Sequence, residues 1–221
     1  MNSLLIIAVH PDDETLGAGG TLLKYKDLGY TIHWLIVTSI NDNRFSVGRK
    51  LCRENEIETV SKMYGFSSVD ELNLPTMQLD EIKFSVVIEK ISEIVNKIKP
   101  EIIILPFKDD VHSDHRVVFN AAYSCTKTFR YPFIKQLLMM ETLSETEFAP
   151  STKDTSFIPN VFVDVSNYID KKINIMKVFE SELGNHPFPR SLETIEALAK
   201  YRGAMSGCKY AESFMLLKDI R

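Results

Sequence analysis

Short runs of apolar residues alternate along the chain with longer segments in which apolar positions recur every three or four residues. The first run, Leu4-Leu5-Ile6-Ile7-Ala8-Val9, is continuous, the pattern of a strand buried on both faces. Segments Thr31 to Thr38, Asp70 to Leu74 and Glu101 to Pro106 are rich in β-branched or apolar residues and read as further strands. Between them, helical spacing runs from about Gly17 to Leu28, Arg49 to Tyr64, Phe84 to Lys97 and His115 to Phe129. This alternation predicts βαβ units and therefore an α/β, Rossmann-like fold, with a largely parallel sheet and helices on both faces. Lys135 to Glu141 and Asn160 to Val165 read as later strands, followed by helices near Tyr168 to Leu183 and Leu192 to Met205. No repeat, low-complexity tract or linker interrupts the pattern, so a single domain over residues 1–221 is expected. The polar segment Ser144 to Phe157 is expected to be a mobile loop over the site.

The chemistry of the chain gathers where two of these strands end. The first strand runs directly into His10-Pro11-Asp12-Asp13-Glu14, one imidazole and three carboxylates. Another buried-strand run, Ile102-Ile103-Ile104-Leu105-Pro106, is followed by Asp110-Val111-His112-Ser113-Asp114-His115. In open α/β sheets the crevice beyond the carboxyl ends of the strands is where ligands bind, so both clusters are expected at one sheet edge. Catalytic zinc typically takes three His, Asp or Glu ligands and leaves a fourth position for water. His10, Asp13 and His115 fit that count, Asp12 adjoins them as a carboxylate able to take a proton from water, and His112 is left to face a substrate oxygen.

On these residues the chain resembles the PIG-L/LmbE-like zinc-dependent N-deacetylases, which hydrolyse acetamides on amino sugars. The resemblance is carried by His10 to Gly20 and by Asp110 to Arg116. It extends to Arg53-Glu54-Asn55-Glu56, Gly65, Arg202-Gly203 and Tyr210 to Phe214. It implies one Zn²⁺ per chain, with Fe²⁺ as the alternative metal, bound by His10, Asp13 and His115. It further implies Asp12 as general base, His112 as oxyanion or proton-transfer group, and Arg53 as a contact to the substrate. Ser113 stands where the family usually has proline, a departure in the loop rather than in its ligands. The implied substrate is a small N-acetylated sugar or glycoconjugate, with another small amide conjugate as the alternative.

Each assignment has a plainer competitor. Pro11 and the three acids after it suit the first turn of a helix, and His112 and His115 are compatible with a helix surface. Asp114 reads either as a residue that orients a histidine by hydrogen bond or as a helix cap, while Asp109 and Asp110 have no assigned role. Arg53 and Glu56 have the spacing of a surface ion pair, and Arg49 and Arg53 share a helix face. Asn41, Asp42 and Arg44 follow the second strand as candidate contacts to sugar hydroxyls, and His186 is a candidate for the entrance or a structural loop residue. For Arg202 and Glu212, buried ion pairing is expected. Gly17, Gly19 and Gly20 are expected to permit close packing of the first helix, because the acids before them would repel a pyrophosphate. His112 fits two protonation states, and an imidazolium would make activity fall as pH rises through its pKa.

Charge and composition narrow the class. Thirty acidic against 26 basic residues give a formal charge of −4, with no basic footprint for nucleic acid or an anionic membrane. Cys52, Cys125 and Cys208 are widely spaced and are expected as buried or semi-buried thiols of a reducing compartment. The chain opens without a basic leader, and no apolar run approaches the ~20 residues of a membrane span. A cytoplasmic protein is therefore expected, with a homo-oligomer left open. Two rivals to an enzyme are a receiver-like signalling domain and a metal-bearing binding module. The first lacks an aspartate at the end of the strand near Leu72 and offers histidines where magnesium prefers oxygen; the second has no need of Asp12.

Overall fold

The computed structural model describes residues 2–221. Among the described residues seven strands form one sheet in the order β3-β2-β1-β4-β5-β7-β6. They are β1 (Ser3–Ala8), β2 (Thr31–Ser39), β3 (Ser68–Pro75), β4 (Ile102–Leu105), β5 (Gln136–Met140), β6 (Val161–Asp164) and β7 (Ala211–Asp219). Strands β1 to β5 pair in parallel, whereas β7 runs antiparallel to both β5 and β6. The helices are α1 (Asp13–Asp27), α2 (Val47–Tyr64), α3 (Phe84–Ile98), α4 (Ser113–Ser124), α5 (Ile169–Met176) and α6 (Leu192–Ser206). Among the described residues no helix is long and apolar enough to cross a membrane.

The unbroken apolar character of β1 has a direct cause, since both of its faces are covered. Leu4, Ile6 and Ala8 pack with residues of α1, α2, α5 and α6, and Leu5, Ile7 and Val9 pack with residues of α3 and α4. Alternate side chains of a strand point to opposite faces, so two cores need two interleaved apolar sets. Because the helices change faces between the β1-α1-β2 and β3-α3-β4 crossovers, the strand order reverses at β1. That leaves a crevice between the carboxyl ends of β1 and β4, where both motif clusters lie.

Helix α1 is not continuous. Ala18 has φ −143° and ψ 16°, a break that strips backbone groups of their helical partners. Side chains from the far end of the chain replace those partners. Lys172 Nζ donates to the Leu16 carbonyl at 2.9 Å, and Glu212 accepts the N–H groups of Gly20 and Thr21 at 2.8 and 2.7 Å. Lys172 and Glu212 also pair with each other at 2.7 Å, both buried. The expected close packing holds here: a Cβ on Gly17 would come within 2.6 Å of Met140 Sδ, and one on Gly20 within 2.7 Å of Val165 Cβ.

Three expectations need correction. Strand β7 follows α6 where only a closing motif was foreseen; its Ala211-Glu212-Ser213 start dilutes the apolar run Phe214 to Leu217 that signals a strand. The helix expected from Tyr168 to Leu183 stops at Met176, and a short 3-10 turn, Glu180–Glu182, follows it. Cys52 is exposed rather than semi-buried, because it lies on the outer face of α2.

A candidate metal and acyl-transfer site at the β1 and β4 edge

His10 leaves the end of β1, and Asp13 opens α1 three residues later. The Asp13 carboxylate folds back on the chain, its Oδ2 accepting the N–H groups of Val9 at 2.9 Å and His10 at 2.8 Å. The same oxygen lies 3.9 Å from His10 Nδ1 and 3.5 Å from His115 Nε2, so the two motif clusters meet at Asp13. His115 comes from the first turn of α4 and has no exposed surface. Its Nδ1 donates to Asp110 Oδ2 at 2.8 Å, and the other oxygen of Asp110 accepts a hydrogen bond from Thr146 at 2.6 Å. This fixes the ring and turns Nε2 toward Asp13, where it has no hydrogen-bond partner. A buried, unpartnered imidazole nitrogen beside a carboxylate and a second imidazole suits a divalent transition metal, and His10, Asp13 and His115 satisfy the reach of one ion. Burial alone would lower the His115 pKa, but the carboxylates of Asp13 and Asp110 outweigh it and push it up to about 9. A metal binding there displaces a proton.

Asp12 lies beside this triad, 4% exposed and facing the adjoining cavity. Burial, and then the charges of Asp13 and Glu182, hold its carboxyl well above the usual range. His112 is the N-cap of α4, and its Nδ1 accepts the Asp114 N–H at 3.1 Å. The ring proton is therefore on Nε2. Burial and the neighbouring imidazoles push the His112 pKa down to about 4, which favours the neutral donor of the two protonation states left open by the sequence.

Asp114 keeps a histidine-facing position, 3.5 Å from His10 Nε2, but its main bonds are to the backbone N–H groups of Met77 at 2.6 Å and Leu79 at 3.2 Å. The residue that orients a ring by a short hydrogen bond is Asp110, which had no assigned role. Asp109 pairs with Lys108 instead.

A cavity of about 360 Å³ opens from this floor, within the range of small-molecule sites. One wall is built on α2, where Arg49 and Arg53 both reach Glu182, and Arg190 pairs with the same carboxylate at 3.3 Å. Burial opposes ionisation of Glu182, but Arg53, Arg190 and Arg49 keep its carboxyl below the usual range. Arg53 is 8% exposed; its Nη1 donates to the Pro11 carbonyl at 2.8 Å and its Nε lies 3.2 Å from Glu56. The Arg53 and Glu56 pair is thus buried rather than a surface pair. Glu182 had no motif to reveal it, since Arg49 and Arg53 lie 133 and 129 residues before it, and Arg190 takes its meaning from Glu182.

Other expected positions divide. Asn41 lines the cavity and donates to the Asn73 side chain, whereas Asp42 and Arg44 pair with each other and Arg44 also donates to the Thr76 carbonyl. His186 is exposed and is not among the lining residues. Arg202 and Glu212 are indeed in buried or half-buried ion pairs, but with Glu141 and Lys172 rather than with each other. The Ser144 to Phe157 segment is anchored at its start, where Val111 N–H donates to the Glu145 carbonyl and Thr146 holds Asp110; Glu145 lines the cavity.

Residues 5–126 match a model of the family described as PIG-L: GlcNAc-PI de-N-acetylase. The chain belongs to the PIG-L family. Over 229 aligned positions it is 24% identical to a diacetylchitobiose deacetylase of Thermococcus kodakarensis, covering all of this chain and 85% of that one. Among solved structures it is similar to the conserved protein TT1542 from Thermus thermophilus, with a TM-score of 0.80, 24% identity and coverage of 100% and 97% of the two chains. It is also similar to an N,N'-diacetylchitobiose deacetylase from Pyrococcus horikoshii, with a TM-score of 0.77, 21% identity and coverage of 98% and 84%. The fold shared with these structures extends past residue 126, through the antiparallel edge formed by β6 and β7.

Proposed function

We propose that the chain is a zinc-dependent N-deacetylase acting on a small N-acetylated amino sugar or sugar conjugate. The observation that carries the reading is the unpartnered Nε2 of buried His115, held against Asp13 and His10 at the floor of the cavity that Asp12 and His112 line. Family membership and the relatives named as diacetylchitobiose deacetylases support the substrate class. A cytoplasmic site of action goes with this reading, as the cysteine usage suggests.

In this mechanism His10, Asp13 and His115 hold the metal. When bound, zinc supplies Lewis acidity that polarises the acetamide and lowers the pKa of water. Asp12 takes the proton of the attacking water as the new carbon–oxygen bond forms. His112 donates its Nε2–H to the oxygen on which negative charge develops. Asp12 then returns the proton to nitrogen as the carbon–nitrogen bond breaks, releasing acetate and a free amine. Arg53 borders the bound substrate while its tie to Pro11 steadies the turn that carries Asp12.

The test is acetate release by the zinc-loaded protein from N-acetylglucosamine, N,N'-diacetylchitobiose and N-acetylated nucleotide sugars. Release from one of them that is abolished by a chelator and restored by zinc is the expected result. A zinc-loaded chain inert on the whole panel, yet active on a non-sugar amide, would replace the amino-sugar reading with that of a different amidase.

A further inference from the structure

Asp12 has a backbone conformation that its own side chain does not explain. Its φ of 139° with ψ of −27° lies where residues bearing a Cβ are rarely found. Although it precedes α1 as the N-cap residue, its carboxylate makes no bond to the free N–H groups of the helix. An aspartate at an N-cap ordinarily keeps an extended backbone and caps the helix with its own side chain.

Here the cap runs the other way. Glu14, in the first turn of α1, reaches back, and its Oε2 accepts the N–H of Asp12 at 3.1 Å. Glu14 has no exposed surface and does not line the cavity, so it meets no substrate. Its other oxygen accepts a hydrogen bond from Thr15 Oγ1 at 2.5 Å, and the Tyr64 hydroxyl donates to Thr15 Oγ1 at 3.0 Å. Tyr64 closes α2 and is itself buried, so the Glu14 carboxylate is fixed from a second helix rather than by solvent. On the opposite side of the turn, Arg53 holds the carbonyl of Pro11.

We propose that Glu14 is the positioning residue of the general base. By taking the Asp12 N–H it holds the turn in its strained form. This releases the Asp12 carboxylate from capping α1, so that it faces the cavity beside His10 and Asp13. The inference rests on the reading of Asp12 as the base, but its first test does not. Glu14→Leu keeps buried volume and removes the acceptor. Glu14→Gln keeps an acceptor, and the hydroxyl donors of Tyr64 and Thr15 can reverse direction to suit the amide.

Crystal structures of Glu14→Leu and Glu14→Gln are the primary measurement. In Glu14→Leu, Asp12 should leave positive φ and its carboxylate should turn onto the N–H groups of α1, while Glu14→Gln should keep the parental turn. Measured by acetate release with N-acetylglucosamine as the probe, Glu14→Leu should lose kcat by ~10²-fold, the scale of a misplaced catalytic group, with KM and zinc content held. Glu14→Gln should rescue most of that loss. An unchanged Asp12 turn in Glu14→Leu would overturn the proposal, as would a Glu14→Gln variant as impaired as Glu14→Leu. If Glu14→Leu does not fold, Glu14→Met, which also lacks the carboxylate acceptor, carries the test: a displaced Asp12 carboxylate supports the proposal and a parental turn overturns it. Parental turnover in Asp12→Asn is a separate outcome that removes the base itself.

Discussion

The floor and the wall of the cavity are both built from buried charges, yet they differ in how those charges are satisfied. On the wall, Arg49, Arg53 and Arg190 converge on Glu182, and Arg53 is further tied to Pro11 and Glu56. On the floor, His10 Nε2 and His115 Nε2 are buried without a hydrogen-bond partner and stand 3.5 Å from the nearest paired carboxylates, whereas on the wall Arg53 Nε and Glu56 Oε2, also without a hydrogen bond, close to 3.2 Å as an ion pair. Buried polar groups are nearly always paired, and the unpartnered nitrogens of the floor are the spare ligating capacity that the proposed metal would use. The wall, by contrast, joins α2, from the parallel half of the sheet, to the loop that follows α5. Changes to the floor should alter chemistry while leaving the fold, and changes to the wall should alter both binding and stability.

The largest effect is expected at the proposed base. Asp12→Asn keeps the shape of the side chain and all three proposed ligands, so metal content should hold while kcat falls by ~10²–10⁴-fold. Near-parental kcat would take the base role from Asp12. His112→Ala removes the Nε2 donor without touching the triad, and should cost ~10²–10³-fold in kcat, the range seen when one oxyanion donor is lost. Loss of metal in that variant would move His112 into the coordination shell. Because burial and the neighbouring imidazoles push the His112 pKa down to about 4, its own ionisation should not set a basic limb in the parental pH profile of kcat/KM.

On the wall, Arg53→Ala should raise KM by about tenfold and lower stability by about 1–3 kcal/mol, since it leaves Glu182 and the Pro11 carbonyl short of a donor. Metal content should not change. A variant with lower thermal stability but parental KM would confine Arg53 to a structural role. The smallest effect is one of pH in the metal-free chain. His115 is raised from 6.5 to about 9 in the fold, so its proton contributes stability that is full below about 6.5 and is lost as pH rises through about 9. Thermal midpoints between about pH 6 and 10 should show that loss, and His115→Gln should flatten it. An equally steep decline in His115→Gln would assign it to another group.

How legible these two regions were in the sequence follows the same division. His10, Asp12, Asp13, His112 and His115 stood out because each cluster is contiguous and follows an apolar strand, so local pattern alone placed them at one sheet edge. The parallel sheet was legible for the same reason: β1 and β4 are unbroken apolar runs, and the segments between them carry helical spacing. Glu182, Arg190, Lys172 and Asp110 were not, because their meaning lies in partners that only folding supplies. Lys172 shows this well; no motif marks it as the partner of Glu212, for which buried pairing was expected, yet together they mend the break in α1. Strand β7 escaped because its second residue is a glutamate that serves this pair rather than the sheet pattern.

The proposed chemistry depends on one ion held by His10, Asp13 and His115. Elemental analysis after equilibrium dialysis against zinc, applied to the parent and to His115→Ala, tests it directly. One zinc per parental chain and its loss in His115→Ala, with the fold retained by circular dichroism, is the predicted result. Full zinc occupancy in His115→Ala, or none in the parent, would contradict it.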